Sequence, residues 1–143
     1  MKIKKFPQGF TFIEMLVVVT IIGVLAAVGV ANFKVANQKA RDGRRQGDLQ
    51  QIRAALELYR TDQNAYPLTA AFPAAGGSLA AGGTTYISDR PADPLSSVYT
   101  YYYSSNGTIY TLCAYLEIGG TAGSCGANSC TGATCNYKIT NPL

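Results

Sequence analysis

The sequence predicts an α+β chain: a long N-terminal helix, its first half able to span a membrane, packed against a small antiparallel β-sheet with a cysteine-closed C-terminal loop. Three observations carry that expectation. From Phe10 to Phe33 the chain is apolar apart from a single charge, Glu14. Leu49, Ile52, Leu56 and Tyr59 then recur at helical spacing. Finally, two runs rich in aromatic, threonine and β-branched residues meet at an Asn-Gly pair, ahead of a tail that holds most of the cysteines. Composition fits this division. The 143 residues are 48% hydrophobic and only 14% charged, against roughly 25% charged in ordinary soluble domains, so apolar residues are concentrated in one place. There is no histidine, which excludes a histidine-based triad and histidine-ligated metals.

The apolar stretch, FTFIEMLVVVTIIGVLAAVGVANF, would measure about 36 Å as a helix, at ~1.5 Å per residue, against a bilayer core of ~30 Å. A secretory signal peptide is the rival reading. Its apolar core is usually ~7–15 residues followed by a small-residue cleavage site, whereas here the apolar run passes straight into a helix-like segment. A retained membrane helix is therefore expected. Glu14 is the anomaly within it, because a carboxylate near mid-membrane costs about 2.5–3.5 kcal/mol on insertion scales. Basic residues flank both ends: Lys2, Lys4 and Lys5 before it, and Lys34, Lys39, Arg41, Arg44 and Arg45 after it. Charge counting thus leaves the orientation almost tied.

The string KKFPQGFTFIEMLVVVTIIGVLAAVGVANF resembles the N-terminus of type IV pilins and type II secretion pseudopilins: a short basic leader, glycine before the cut, an aromatic residue after it, and glutamate five residues into the mature chain. The resemblance implies a pilin-like fold. It implies that a prepilin peptidase cuts between Gly9 and Phe10, discards residues 1–9 and methylates the Phe10 amine. It also implies an inner-membrane assembly platform as partner, and pairing of Glu14 with the Phe10 amine of a neighbouring subunit, which would neutralise two groups costly in hydrocarbon. The sequence departs from many relatives at Ala31, where they carry proline. Only Gly23 and Gly29 remain as weak points, each costing roughly 1 kcal/mol relative to alanine.

Residues 34–61 are expected to continue the helix, to about Arg60, with Gly43 and Gly47 as soft spots. The basic cluster around Arg41, Arg44 and Arg45 reads as a solvated helix face, with lipid headgroups as its partner before assembly. Thr61 to Asn64, then Tyr66-Pro67, end the helix. A head over residues 62–143 follows. Its stretch from Ala70 to Thr85 is dominated by alanine and glycine and reads as a loop of low order. Val98–Tyr103 and Thr108–Glu117 read as a hairpin around Asn106-Gly107, with alternate tyrosines Tyr99, Tyr101 and Tyr103 on one face, able to cover the helix stripe. Asn106-Gly107-Thr108 also matches a glycosylation sequon, but the turn explains it. The segments YRTDQNAYP and YISDRPADPLSSVYTYYY resemble the major pseudopilin branch.

The tail, GGTAGSCGANSCTGATCNYKITNPL, has almost no core-forming residues. Cys125, Cys130 and Cys135 lie in it and Cys113 precedes it; two disulfides would restrain it, in any of three pairings. Zinc is the weaker reading, because the spacing lacks CxxC pairs. The major pseudopilin branch typically has a calcium loop with acidic ligands after the hairpin, but here only Glu117 is acidic beyond Asp93. No family-type calcium site, and no other cofactor, is expected.

These features point to a non-enzymatic structural subunit that self-associates through its N-terminal helices. It would be a single-pass membrane protein first and part of an extracellular or periplasmic filament afterwards. The closed tail favours an exposed pilus and the head a secretion pseudopilus. The alternative is a minor tip pilin acting as an adhesion or DNA-binding module. Nucleic acid is disfavoured as a partner: the formal charge of +4 includes three leader lysines, and without them nine basic residues face eight acidic ones.

Overall fold

Thr11 starts the long helix. Its hydroxyl accepts the Glu14 backbone N–H at 3.3 Å, and a Glu14 carboxylate oxygen accepts the Thr11 backbone N–H at 3.3 Å, a reciprocal capping box that satisfies otherwise orphaned donors. Helix α1 then runs Phe12–Gln63, unbroken through Gly23, Gly29, Gly43 and Gly47. It ends three residues beyond Arg60, where Asn64 takes a positive φ of 57° and its N–H bonds back to the Arg60 carbonyl at 2.8 Å, a left-handed cap suited to asparagine. The structure, a computed structural model, describes residues 9–141; most of the leader lies outside it. By its internal contacts the chain divides into two units, Met1–Asn37 and Gln38–Leu143.

In the second unit a single 3-10 turn, Thr69–Ala71, precedes strands β1 (Leu79–Ala81) and β2 (Thr84–Ile87), which pair antiparallel. This corrects the expectation of a low-order loop over Ala70–Thr85. Gly82 and Gly83 both adopt positive φ, 57° and 82°, the conformation a tight two-residue hairpin requires, and Leu79 and Ile87 are buried.

A second sheet has the order β3-β4-β5, all antiparallel, from β3 (Tyr102–Ser105), β4 (Tyr110–Ala114) and β5 (Tyr137–Thr140). The expected hairpin is present, but both strands are shorter than expected, and β3 is displaced towards the turn. Asn106 Oδ1 accepts the N–H groups of Thr108 and Ile109 at 3.0 Å, and Gly107 has φ 93°. Tyr99 lies outside β3, in an isolated bridge to Thr131. Strand β5 was not expected, since its four residues sit at the end of a tail otherwise poor in apolar side chains.

Alternation gives the second sheet two dissimilar faces. Tyr103, Leu112 and Ile139 are aligned across it by register and pack with Leu49, Ile52, Leu56 and Tyr110 in the main core. Each leucine or isoleucine so buried contributes on the order of 1.5–3 kcal/mol. Cys113, on the opposite face, belongs to a second cluster with Cys125, Cys130 and Cys135.

Candidate functional site

The chemistry-bearing residues of the first unit lie at its start. Gly9 and Phe10 are exposed, and among the described residues a Cβ placed on Gly9 would meet nothing within 4 Å. Glu14 is also exposed, its carboxylate held among the described residues by Thr11 alone. Beyond it the large apolar side chains of α1 stand open, Phe12 at 84%, Ile13 at 70% and Leu25 at 66% exposure. The helix is long and apolar enough to cross a membrane. An apolar surface of this extent marks a segment whose environment is lipid or protein.

In the second unit the helix carries the head through charges as well as grease. Arg45 is fully buried. Its Nε and Nη2 donate to Asp93 at 2.8 and 3.0 Å, and its Nη1 donates to Asp42 at 2.8 Å and Glu117 at 2.9 Å. Arg41 closes a second, two-pronged pair on Glu117 at 2.7 and 2.6 Å. The hydrogen bond from Arg41, helped by Arg45, pulls the Glu117 carboxyl down to about 2. Burial works against the Arg45 charge, but the bonds to Asp93, Glu117 and Asp42 outweigh it and raise its pKa. Asp42 also accepts the backbone N–H groups of Glu117 and Ile118 at 2.9 and 2.7 Å.

The basic cluster is therefore solvated only in part: Arg44 is exposed as expected, whereas Arg45 is buried and Arg41 is bound to Glu117. Arg45 lies four residues before Leu49 and seven before Ile52, on the apolar stripe itself; that placement was the available signal. The acids that would answer it, Asp93 and Glu117, lie 48 and 72 residues away.

The remaining helix acids accept tyrosine hydroxyls from the head. Tyr101 donates to Asp48 at 2.7 Å, Tyr66 and Tyr110 to Glu57 at 2.9 and 3.2 Å, and Tyr86 to Asp62 at 3.0 Å. Burial pushes the Tyr66, Tyr101 and Tyr110 hydroxyls up, and Tyr103, which donates to the Pro67 carbonyl at 2.7 Å, to about 12. The tyrosine row is thus structural, with Tyr101 and Tyr103 buried.

All four cysteines are brought together beneath β4 as Cys113–Cys125 and Cys130–Cys135. The segment they close is further held by Asn136. Its side chain both accepts from the Leu116 N–H at 2.6 Å and donates to the Leu116 carbonyl at 2.9 Å. Glu117, the acid that follows the hairpin, commits both carboxylate oxygens to arginines and so is not free to serve as a calcium ligand.

Comparison with known proteins matches residues 32–130 to the family described as type II secretion system (T2SS), protein G, and residues 5–30 to the prokaryotic N-terminal methylation motif. Type II secretion system core protein G of Pseudomonas aeruginosa is 41% identical over 66 residues, 46% of each chain. The protein of the same name from Aeromonas hydrophila is 36% identical over 66 residues, again 46% of each. That of Pectobacterium carotovorum is 39% identical over 62 residues, 43% of this chain and 40% of the relative. Each alignment spans less than half of the relative's length. No solved structure matches the chain at comparable significance.

Proposed function

The chain belongs to the type II secretion system protein G family, and from that premise we propose that it is a structural, non-enzymatic subunit of a secretion pseudopilus. The precursor sits in the inner membrane through residues 10–33. A prepilin peptidase cuts between Gly9 and Phe10 and methylates the new amine. An assembly platform then passes the mature chain into a fibre, with the head in the periplasm.

The observation that carries this reading is the contrast along α1. Its first half exposes side chain after side chain of apolar surface, whereas its second half has its stripe and every acid answered by the head. Burial of the first half among copies of itself removes that surface from lipid. In a heterologous, open-ended arrangement the same contact repeats as a helix of subunits. Within such a core the Glu14 carboxylate and the Phe10 amine of adjacent copies neutralise one another, fixing each subunit's axial position. The capping box holds Glu14 beside the helix start, where the amine is produced. The open surroundings of Gly9 support a role facing the peptidase.

The test is direct. Fibres sheared from cells expressing the chain are expected to contain it with a mature N-terminus at methylated Phe10 by mass spectrometry. Glu14→Ala is expected to leave a membrane-resident protein and few fibres. An intact Met1 in assembled fibres would overturn the processing step, and wild-type fibre numbers from the variant would remove the registration role of Glu14.

A further inference from the structure

Besides Arg45 on the helix, Arg90 in the head is a buried arginine, and among the described residues it differs from Arg45 in having no acid in salt-bridge contact. Its backbone is fixed, the N–H donating to the Gly77 carbonyl at 2.9 Å and the carbonyl accepting from the Gly76 N–H at 2.9 Å. The residue is only 9% exposed. Nη1 donates to the Pro73 carbonyl and Nη2 to the Tyr101 carbonyl, both at 3.0 Å, and the guanidinium lies over the Phe72 ring at 4.9 Å. Those bonds use two of the five N–H groups an arginine offers. Nε is buried with no acceptor among the described residues. Among the described residues no carboxylate lies within 4 Å, whereas Arg45 has three.

A guanidinium in that setting is expensive. Taking it out of water costs several kcal/mol, which a facing anion ordinarily offsets; here burial lowers the Arg90 pKa and no acid opposes the effect. The Pro73 side of Arg90 borders a cleft of about 330 Å³, with Thr69, Thr100, Tyr102 and Ser129 on its walls and no acidic residue among its lining. Among the described residues, the cleft's only permanent charge is therefore the positive one on Arg90. Its rim includes Ser129 and Thr100, both hydrogen-bonded to Thr131, which lies in the loop closed by Cys130–Cys135.

We propose that this cleft is a carboxylate-binding site, with Arg90 as its charged anchor, and that in the assembled fibre an acidic side chain of a neighbouring copy fills it. A planar carboxylate matches the planar donor edge of a guanidinium. A second copy delivers one such group for every Arg90, which gives the site a stoichiometric partner. The source of the carboxylate rests on the fibre reading above; the cleft's anion chemistry does not.

The test follows the Arg90 Nε–H resonance in arginine-labelled full-length protein. In detergent-solubilised monomer, sodium acetate is expected to shift that resonance saturably, with half-saturation in the millimolar range, while sodium chloride at the same ionic strength leaves it in place. In fibres without acetate, solid-state spectra are expected to find it already at the acetate-bound position. No saturable shift in the monomer would overturn the site and leave Arg90 as a strut between two carbonyls. A shift in the monomer with an unshifted resonance in fibres would overturn the neighbouring-copy source. If the chain forms no fibres at all, the function proposed above fails, while the monomer titration still decides the site.

Discussion

Replacing Arg45 by glutamine is the sharpest test of how the head is held. In the wild-type cluster two cations, Arg41 and Arg45, face three carboxylates, Asp42, Asp93 and Glu117. Arg45→Gln leaves Arg41 alone against the three, and Asp93, whose side chain is 1% exposed, loses both of its bonds from the cation. Removing one partner of a buried pair costs about 3–5 kcal/mol, because a charge is stranded where water cannot reach it. At about 4 °C per kcal/mol for a unit of roughly a hundred residues, the melting temperature is expected to fall by about 12–20 °C. Thermal unfolding of the full-length protein in detergent, followed by circular dichroism, measures it. Adding Asp93→Asn to the variant is expected to recover part of the loss, since the stranded charge is removed with its partner gone. A loss below about 1 kcal/mol, the level of an exposed ion pair, would refute the reasoning.

The same cluster sets an acid limit. Because the folded Glu117 carboxyl is depressed to about 2, it binds a proton more weakly than its unfolded counterpart near ~4.3. Its contribution is complete above that value and is lost as pH falls towards about 2; Arg45→Gln is expected to shrink this acid-dependent loss.

Three further outcomes concern the head's closure and its helix. Exchanging Cys113 and Cys125 for alanine should cost about 3 kcal/mol, and Cys130 with Cys135 about 2, in the order of the loops they close; denaturant midpoints unchanged by reductant would contradict both. Gly120→Ala should cost about 1–3 kcal/mol, because the added methyl would collide with the Asn136 carboxamide that clamps Leu116. Gly47→Ala lies on an exposed helix face with open space around the new methyl, and should instead add about 1 kcal/mol; the same sign for both glycines would count against the account.

What the sequence disclosed was whatever is encoded locally. The apolar stretch from Phe10, the stripe through Leu49, Ile52 and Leu56, and the Asn106-Gly107 turn each fit within a few helical turns or one hairpin. Arg45 escaped notice because its meaning depends on Asp93 and Glu117, which only the folded chain brings near, and because arginines beside an apolar run ordinarily read as solvated. The β1–β2 hairpin was hidden by composition. Alanine and glycine around Gly82-Gly83 suggested disorder, although a Gly-Gly pair before Thr84-Thr85-Tyr86-Ile87 carries the turn chemistry. The cysteines announced that the tail is closed, but which sulfurs meet is a property of the sheet that sets Cys113 above Cys125. Arg90 gave no pattern at all, since neither of its acceptors is a side chain.

The tyrosine hydroxyls on Asp48, Glu57 and Asp62 act as an index. Apolar packing alone tolerates a helix that rotates or slides by a residue, because one aliphatic contact resembles the next. Phenols aimed at particular carboxylates spread over about four turns of the helix tolerate neither: displacement by one turn would break these bonds together and leave Tyr101 and Tyr110, both buried, without their acceptors. The head is thereby keyed to one phase of the helix that carries it. In a fibre built by repetition, any slack in that phase would be copied into every subunit, so the precision of these few hydrogen bonds bounds how uniform its surface can be.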